Sequence, residues 1–194
     1  MSTRIAIIYG TGEGQTKKIA HHMAADFGEQ QLEAECYNVD KLPRDFGVDD
    51  YSAIVVGASV HMGRFPRSIQ KWVEKNRETL RAMPSAFFSV SLTASEDDER
   101  SREEITNLID GFLEELDWQP ALVASFAGAI PFSQYGFIRT LIMKRIVRKR
   151  LGEVDTSRDY EYTDWASVDE FVEQFRDRVR AESSSDEEHR PRSS

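Results

Sequence analysis

Ile5-Ala6-Ile7-Ile8-Tyr9-Gly10-Thr11-Gly12-Glu13-Gly14-Gln15-Thr16-Lys17-Lys18-Ile19-Ala20 passes from an apolar, β-branched run through a glycine-rich turn into a helical pattern. The run from Ile5 to Tyr9 has the residues of a buried strand. Beyond the turn, Ile19, Ala20, Met23, Ala24 and Phe27 recur at helical spacing. A turn of this kind gathers backbone N–H groups and hydroxyls at the positive end of a helix, which suits an anionic group.

Working outward, the alternation continues. Residues 33–39 form a second, weaker strand, and residues 53–56 a third, apolar throughout as a strand covered on both faces requires. Ile69, Trp72, Val73, Asn76 and Leu80 mark the next helix, with Pro66 near its start. Residues 86–92 make a fourth strand, 105–116 a helix and 122–129 a fifth strand. This order predicts an α/β sandwich around a parallel sheet, with no internal repeat. The stretch from Ile130 to about Tyr162 is too long for a simple strand-to-helix loop. Val168, Phe171, Val172, Phe175 and Val179 then give a last amphipathic helix. One domain is expected over residues 1–180, with an insertion at about 130–162. Residues 181–194, Ser-rich and charged, are expected to be a disordered tail.

Composition narrows the function. The 194 residues are 40% hydrophobic, enough for a real core, and the formal net charge is −9. That balance argues against nucleic-acid binding, because most of the surface would repel phosphates. Only seven of the 25 cations are Lys, an acid-rich, Lys-poor usage that suits a salty cytoplasm. The single Cys36 excludes an internal disulfide and a Cys-based cluster, and reads as a small half-buried strand residue. His21 and His22 on a helix and His189 near the end show no metal-ligand spacing, so no metal is expected. No run approaches the roughly 20 apolar residues that span a bilayer, and Met1-Ser2-Thr3-Arg4 leads straight into the first strand without a signal-peptide core. A cytoplasmic location is expected.

Three phosphate-binding loops resemble the turn. A Walker A loop needs Gly-Lys-Ser/Thr after its glycines, which is absent. A dinucleotide fingerprint needs Gly at position 15, where Gln15 stands, although Asp40 after the second strand sits where an acidic ribose ligand would. A hydroxyl-rich loop for one terminal phosphate, with Thr11 and Thr16 donating beside the backbone, fits best.

Thr11-x-x-Gly14-x-Thr16 resembles the FMN phosphate loop of flavodoxins. Gly14-Gln15-Thr16-Lys17-Lys18-Ile19-Ala20, Val56-Gly57-Ala58-Ser59 and Met83-Pro84-Ser85-Ala86-Phe87-Phe88-Ser89-Val90 resemble, more narrowly, the flavodoxin-type, quinone-dependent protoporphyrinogen IX dehydrogenases of haem biosynthesis. Ala127-Gly128-Ala129, Asp155-Thr156 and Tyr162-Thr163-Asp164-Trp165 continue the likeness, which spans about Arg4 to Phe175. The resemblance implies a three-layer flavodoxin-like sandwich with strand order 2-1-3-4-5, a helical insertion associated with the fifth strand, and FMN at the carboxyl ends of the strands. Thr11, Gly12, Glu13, Gly14, Gln15 and Thr16 would hold the phosphate. Ser59, Val60, His61, Met62 and Gly63, with Ser91, Leu92, Thr93 and Ala94, would edge the isoalloxazine ring. Two departures stand out. Glu13 replaces a hydroxyl residue usual in the phosphate loop, and is expected to give its backbone N–H and point outward. Neither ring loop contains the Trp or Tyr that sandwiches the ring in carrier flavodoxins, which leaves an opener face suited to a bulky porphyrinogen.

Within the insertion, residues 137–151 read as a helix with Ile138, Leu141, Ile142, Ile146 and Val147 largely on one face. The same stretch carries Arg139, Lys144, Arg145, Arg148, Lys149 and Arg150 and no acid. Such a cationic amphipathic helix suits an anionic membrane, and its cations suit substrate propionates. Equally, its apolar face packs on the domain and its cations are solvated. Phe132, Tyr135, Arg139, Arg145 and Arg148 are the candidate substrate or membrane contacts. His61 is a flavin hydrogen-bonding partner, a proton shuttle or a plain loop residue without a catalytic task, and Trp165 reads as a helix-start core residue. No residue is a convincing general base, and none is assigned as catalytic. The expected function is oxidation of protoporphyrinogen IX with electrons passed to a membrane quinone. The alternatives are a flavodoxin electron carrier and a quinone reductase with another donor.

Overall fold

A computed structural model describes residues 3–95, 98–130, 155 and 157–188. Phe132, Tyr135, Arg139, Arg145, Arg148 and the rest of the basic stretch lie outside the described residues. Five strands, β1 (Arg4–Gly10), β2 (Glu33–Asn38), β3 (Ala53–Ser59), β4 (Ser85–Ser91) and β5 (Leu122–Ala127), form one parallel sheet in the order β2-β1-β3-β4-β5. Helices α1 (Gln15–Glu29), α2 (Arg67–Ala82), α3 (Glu99–Glu115) and α4 (Trp165–Glu188) cover it.

Alternation along β1 builds both layers. Ile5, Ile7 and Tyr9 face α1 and α4, where they meet Ile19, Met23, Phe27, Phe171 and Phe175. Ala6 and Ile8 face the opposite way, toward Ile69, Trp72 and Val73 of α2 and, across that layer, Ile109 and Phe112 of α3. Covered on both sides, β1 and β3 need no polar face, which is why they read as nearly apolar runs, while the buried serines of β4 spend their hydroxyls on the Leu80 carbonyl, on Ser125 and on the Ala94 N–H. The registers Tyr9↔Gly57 and Gly57↔Phe88 put a glycine in mid-sheet. The Phe88 ring lies across it, so that a Cβ on Gly57 would stand 2.1 Å from Phe88 Cζ.

The structure shifts several expected boundaries. The second strand stops at Asn38, whose side chain accepts from the Asp40 N–H and turns Val39 into a 3-10 turn. α3 starts at Glu99, earlier than apolar spacing indicates, because Asp98 caps it by accepting from the Ser101 N–H. The fifth strand ends at Ala127. After Gly128 the chain forms β6 (Ala129–Ile130), antiparallel to β7 (Tyr160–Glu161). This short ladder brackets the insertion. α4 continues to Glu188, past residue 181 where the sequence suggests a tail. Residues 165–188 contain neither Gly nor Pro to stop a helix whose apolar stripe is already anchored. Cys36 is half-buried on β2 with its thiol against the Ala20 carbonyl at 3.1 Å, and burial pushes its pKa up to about 12.

Candidate active site

Parallel strands deliver their following loops to one edge of the sheet, and that edge holds the cleft. The turns after β1, β3 and β4 converge around a cavity of about 240 Å³. Thr11, Glu13, Gln15, Thr16, Ser59, Val60, His61, Met62, Gly63, Ser91, Leu92 and Thr93 all line it, so the three sequence-distant loops expected to meet do meet. Gly12, Gly14 and Ala94 do not line it, but their backbone N–H groups bond to residues that do. The Gly12 N–H donates to Ser59 Oγ (3.2 Å), the Gly14 N–H to Thr11 Oγ1 (2.9 Å) and the Ala94 N–H to Ser91 Oγ (3.1 Å). Glu13 is half-buried and part of the wall, so it is not turned wholly outward. Asp40 is exposed and forms no part of this wall, which removes the ground for a dinucleotide site.

The two ends of the cleft differ. At one end α1 begins, with Gly14 as its cap at φ 95°, a conformation that strains any L side chain. The Thr16 side chain is 1% exposed, and its Oγ1 is buried without a hydrogen-bond partner. The N–H groups of Gln15, Thr16 and Lys17 have no acceptor among the described residues, since the first backbone bond of the helix is Lys18 N–H to Gly14 O. A buried hydroxyl left unpaired costs about 1–3 kcal/mol. Set beside open N–H donors at a helix start, it fits a bound phosphate that accepts from all of them.

At the other end the chain reverses tightly between His61 and Arg64, which exchange 2.9 and 3.1 Å backbone bonds. Met62 (φ 50°) and Gly63 (φ 70°) form the tip, and the Met62 side chain is 99% exposed. The His61 ring lies against Gly12, where a Cβ would come within 2.1 Å of Nε2. Val90, Glu104, Ile105, Leu108, Gly128 and Ala129 complete the wall and escaped the sequence reading. Helical periodicity marks Ile105 as core without saying which cavity it borders. The Ala127-Gly128-Ala129 block was the one available signal for the last two.

Behind the start of α1, β7 and its sequel are fastened to that helix. Lys18 pairs with Glu161 at 2.6 Å, and Gln15 Nε2 donates to Thr163 Oγ1 at 2.8 Å. The Lys18 hydrogen bond, with smaller help from Trp165 and Gln15, holds the Glu161 carboxyl below its usual range against some desolvation. Trp165 opens α4 half-buried, packed against the core and 4.7 Å from the His22 ring, as a helix-start residue should be.

A family model described as "Flavodoxin domain" matches residues 6–157. The chain belongs to the flavodoxin family. Two curated relatives narrow its place there. It is 34% identical over 176 residues to the "Protoporphyrinogen IX dehydrogenase [quinone]" of Leishmania major, covering 90% of this chain and 75% of that protein. It is 32% identical over 169 residues to the protein of the same name from Escherichia coli (strain K12), covering 87% of this chain and 92% of the other. Within the flavodoxin family these relatives are oxidoreductases, and this chain is one of their kind. A solved flavodoxin from Streptococcus pneumonia TIGR4 superposes with a TM-score of 0.52 at 11% identity, covering 93% of this chain and 99% of that one, a likeness of fold alone. Among the described residues no helix of this flavodoxin-family chain is long and apolar enough to cross a membrane.

Proposed function

We propose that this chain binds FMN through residues 11–16 and oxidises protoporphyrinogen IX to protoporphyrin IX, with a membrane quinone as electron acceptor. The observation that carries the cofactor assignment is the buried, unpartnered Thr16 Oγ1 beside the open N–H groups of α1. The names of the relatives supply the substrate class. Bound FMN supplies two-electron acceptance from a C–H bond, which no protein side chain offers. The chain's own residues do the rest. Thr11, Thr16 and the first N–H groups of α1 hold the phosphate, and the loops at 59–63 and 91–94 orient the ring. Three successive two-electron oxidations of the porphyrinogen require a ring face that a large substrate can reach repeatedly. The wall of this cleft contains no Phe, Tyr or Trp among the described residues, so none of these is placed there to sandwich a flavin ring. That absence favours a substrate over the sealed ring of a pure electron carrier.

The basic stretch 137–151 completes the proposal. It is suited to rest on anionic headgroups, and the described residues just before it, Gly128 and Ala129, line the cleft. Purified protein loaded with FMN should, under anaerobic conditions, raise porphyrin fluorescence from protoporphyrinogen IX when a menaquinone analogue is supplied. A rate no higher than the uncatalysed one sinks the assignment, and a chain that stays colourless after FMN loading removes its basis. In liposomes containing anionic lipid, binding should fall with salt. It should also fall when Arg145, Arg148, Lys149 and Arg150 are changed to Gln, and equal binding by both proteins refutes the membrane contact.

A further inference from the structure

Thr163 lies more than a hundred residues from the phosphate turn in sequence and touches it in space. Its hydroxyl accepts from Gln15 Nε2 at 2.8 Å and donates to the Ala127 carbonyl at 2.7 Å. A hydroxyl has one proton to give, so these roles are fixed: the amide can only donate and the carbonyl can only accept. Thr163 therefore bridges the first residue of α1 and the last residue of β5. The bridge continues inward. Tyr162 N–H donates to Gly128 O (3.1 Å), and Gly128 N–H donates to Ser91 O (2.9 Å), which ends β4 inside the cleft.

The start of α4 does not explain this hydroxyl. Asp164 already caps that helix, its carboxylate accepting from the Ala166 N–H at 3.1 Å and from Ser167 Oγ at 2.7 Å. Nor does the salt bridge of Lys18 with Glu161 replace it, since that pair is substantially exposed and its attraction is screened by solvent. The Thr163 contacts are partly buried, and one of them acts on Gln15, the residue that opens α1.

We infer that Thr163 is a positioning residue for the cofactor's phosphate: through the Gln15 amide it fixes the first turn of α1 against the end of β5, so that the Gln15 and Thr16 donors are aimed before the ligand arrives. The inference rests on the FMN reading above. It assigns a physical role to Thr163 of the Tyr162-Thr163-Asp164-Trp165 block, which does not itself line the cleft. Donors held in place lose less freedom on binding, so their loss weakens the phosphate contact and leaves the ring contact alone.

The test compares FMN with riboflavin, which has the same ring and no phosphate, by fluorescence-quenching titration of the full chain. Thr163→Val keeps the shape and removes both bonds. It should weaken FMN about tenfold, a difference of about 1.4 kcal/mol, and change riboflavin by less than twofold. Thr163→Ser should bind FMN as the wild type does. Gln15→Met should lose at least as much, since the same amide also supports Glu161, and the double variant should lose no more than Gln15→Met alone, because the Thr163 link is then cut twice. Gln15→Met carries the test alone if Thr163→Val does not fold. Unchanged FMN affinity in the folded variants overturns the inference, as does an equal loss for riboflavin, which would mark a general loosening of the site. A wild type that binds riboflavin as tightly as FMN brings down the phosphate reading itself, and this inference with it.

Discussion

Gly57 and Gly12 set the same geometric problem in opposite surroundings. A methyl group at either would come within 2.1 Å of a ring atom, Phe88 Cζ in one case and His61 Nε2 in the other. Phe88 is fully buried between the strands and α4, with Phe126 and Phe171 packed around it, and has nowhere to go. His61 stands exposed on the turn at the mouth of the cleft and can swing away. The middle of the sheet is thus a close-packed solid, whereas the rim is a set of side chains laid against a rigid frame.

The largest effect should come from breaking the solid part. Gly57→Ala should destabilise the fold by about 3 kcal/mol, the upper range for overpacking a core. A lower urea midpoint with an unchanged slope would show it, and Phe88→Leu in the same chain should recover part of the loss. A cost near zero would mean that the sheet centre yields as easily as the rim.

The next effect has opposite signs with and without ligand. Thr16→Val removes a buried hydroxyl that lacks a protein partner. Without ligand, the protein should gain about 1 kcal/mol, because an unpaired polar group no longer has to be desolvated. FMN affinity should nevertheless fall about thirtyfold, near 2 kcal/mol, which is the scale of a hydrogen bond to a charged group. Thermal melts of the unliganded proteins and an FMN titration measure the two halves. A loss of stability in the unliganded variant would show that Thr16 is satisfied within the protein and has no ligand to wait for.

The contrast between frame and rim also decides what could be read in advance. The apolar runs at Ile5–Tyr9 and 53–56, the turn at 10–16 and the stripe Val168, Phe171, Val172, Phe175 are local patterns, so the strands, the turn and the inward helix face were legible from spacing, whereas the strand order followed only from the resemblance to flavodoxins. The pairing of Ala129 with Glu161 was not, because two-residue strands have no period and their partner is remote in the chain. Glu104 and Leu108 were hidden for another reason. Spacing shows which face of a helix turns inward, but not that the end of that face borders a cleft. The bridge through Thr163 was visible only as part of a family-like block, with no chemistry attached until Gln15 was seen beside it.

Gly12→Ala should test the rim directly. Its expected cost in stability is within about 0.5 kcal/mol, since the clash falls on a side chain that can rotate. The visible band of bound flavin should shift as His61 moves, and His61→Ala should give the same shifted band without the added methyl. A cost approaching that of Gly57→Ala would erase the distinction between the two regions.

The smallest effect lies behind the phosphate end, at Lys18 and Glu161. The Glu161 carboxyl is held below its ordinary value of 4.5, chiefly by the Lys18 hydrogen bond. A carboxyl with a depressed pKa in the folded state contributes its stability above the unfolded value, and loses that contribution as the pH falls through the folded one. Glu161→Gln should therefore reduce stability at pH 7 by no more than about a few tenths of a kcal/mol, seen as a slightly lower Tm, because the pair is more than a third exposed. The gap from wild type should close as the pH is taken well below 4.5, where both side chains are neutral, and should narrow with added salt at neutral pH. A gap that persists in acid would mean that Glu161 acts through packing on Trp165, whose indole N–H it accepts at 2.9 Å, instead of through its charge. The fastening of β7 to α1 would then belong to the close-packed frame and not to the rim.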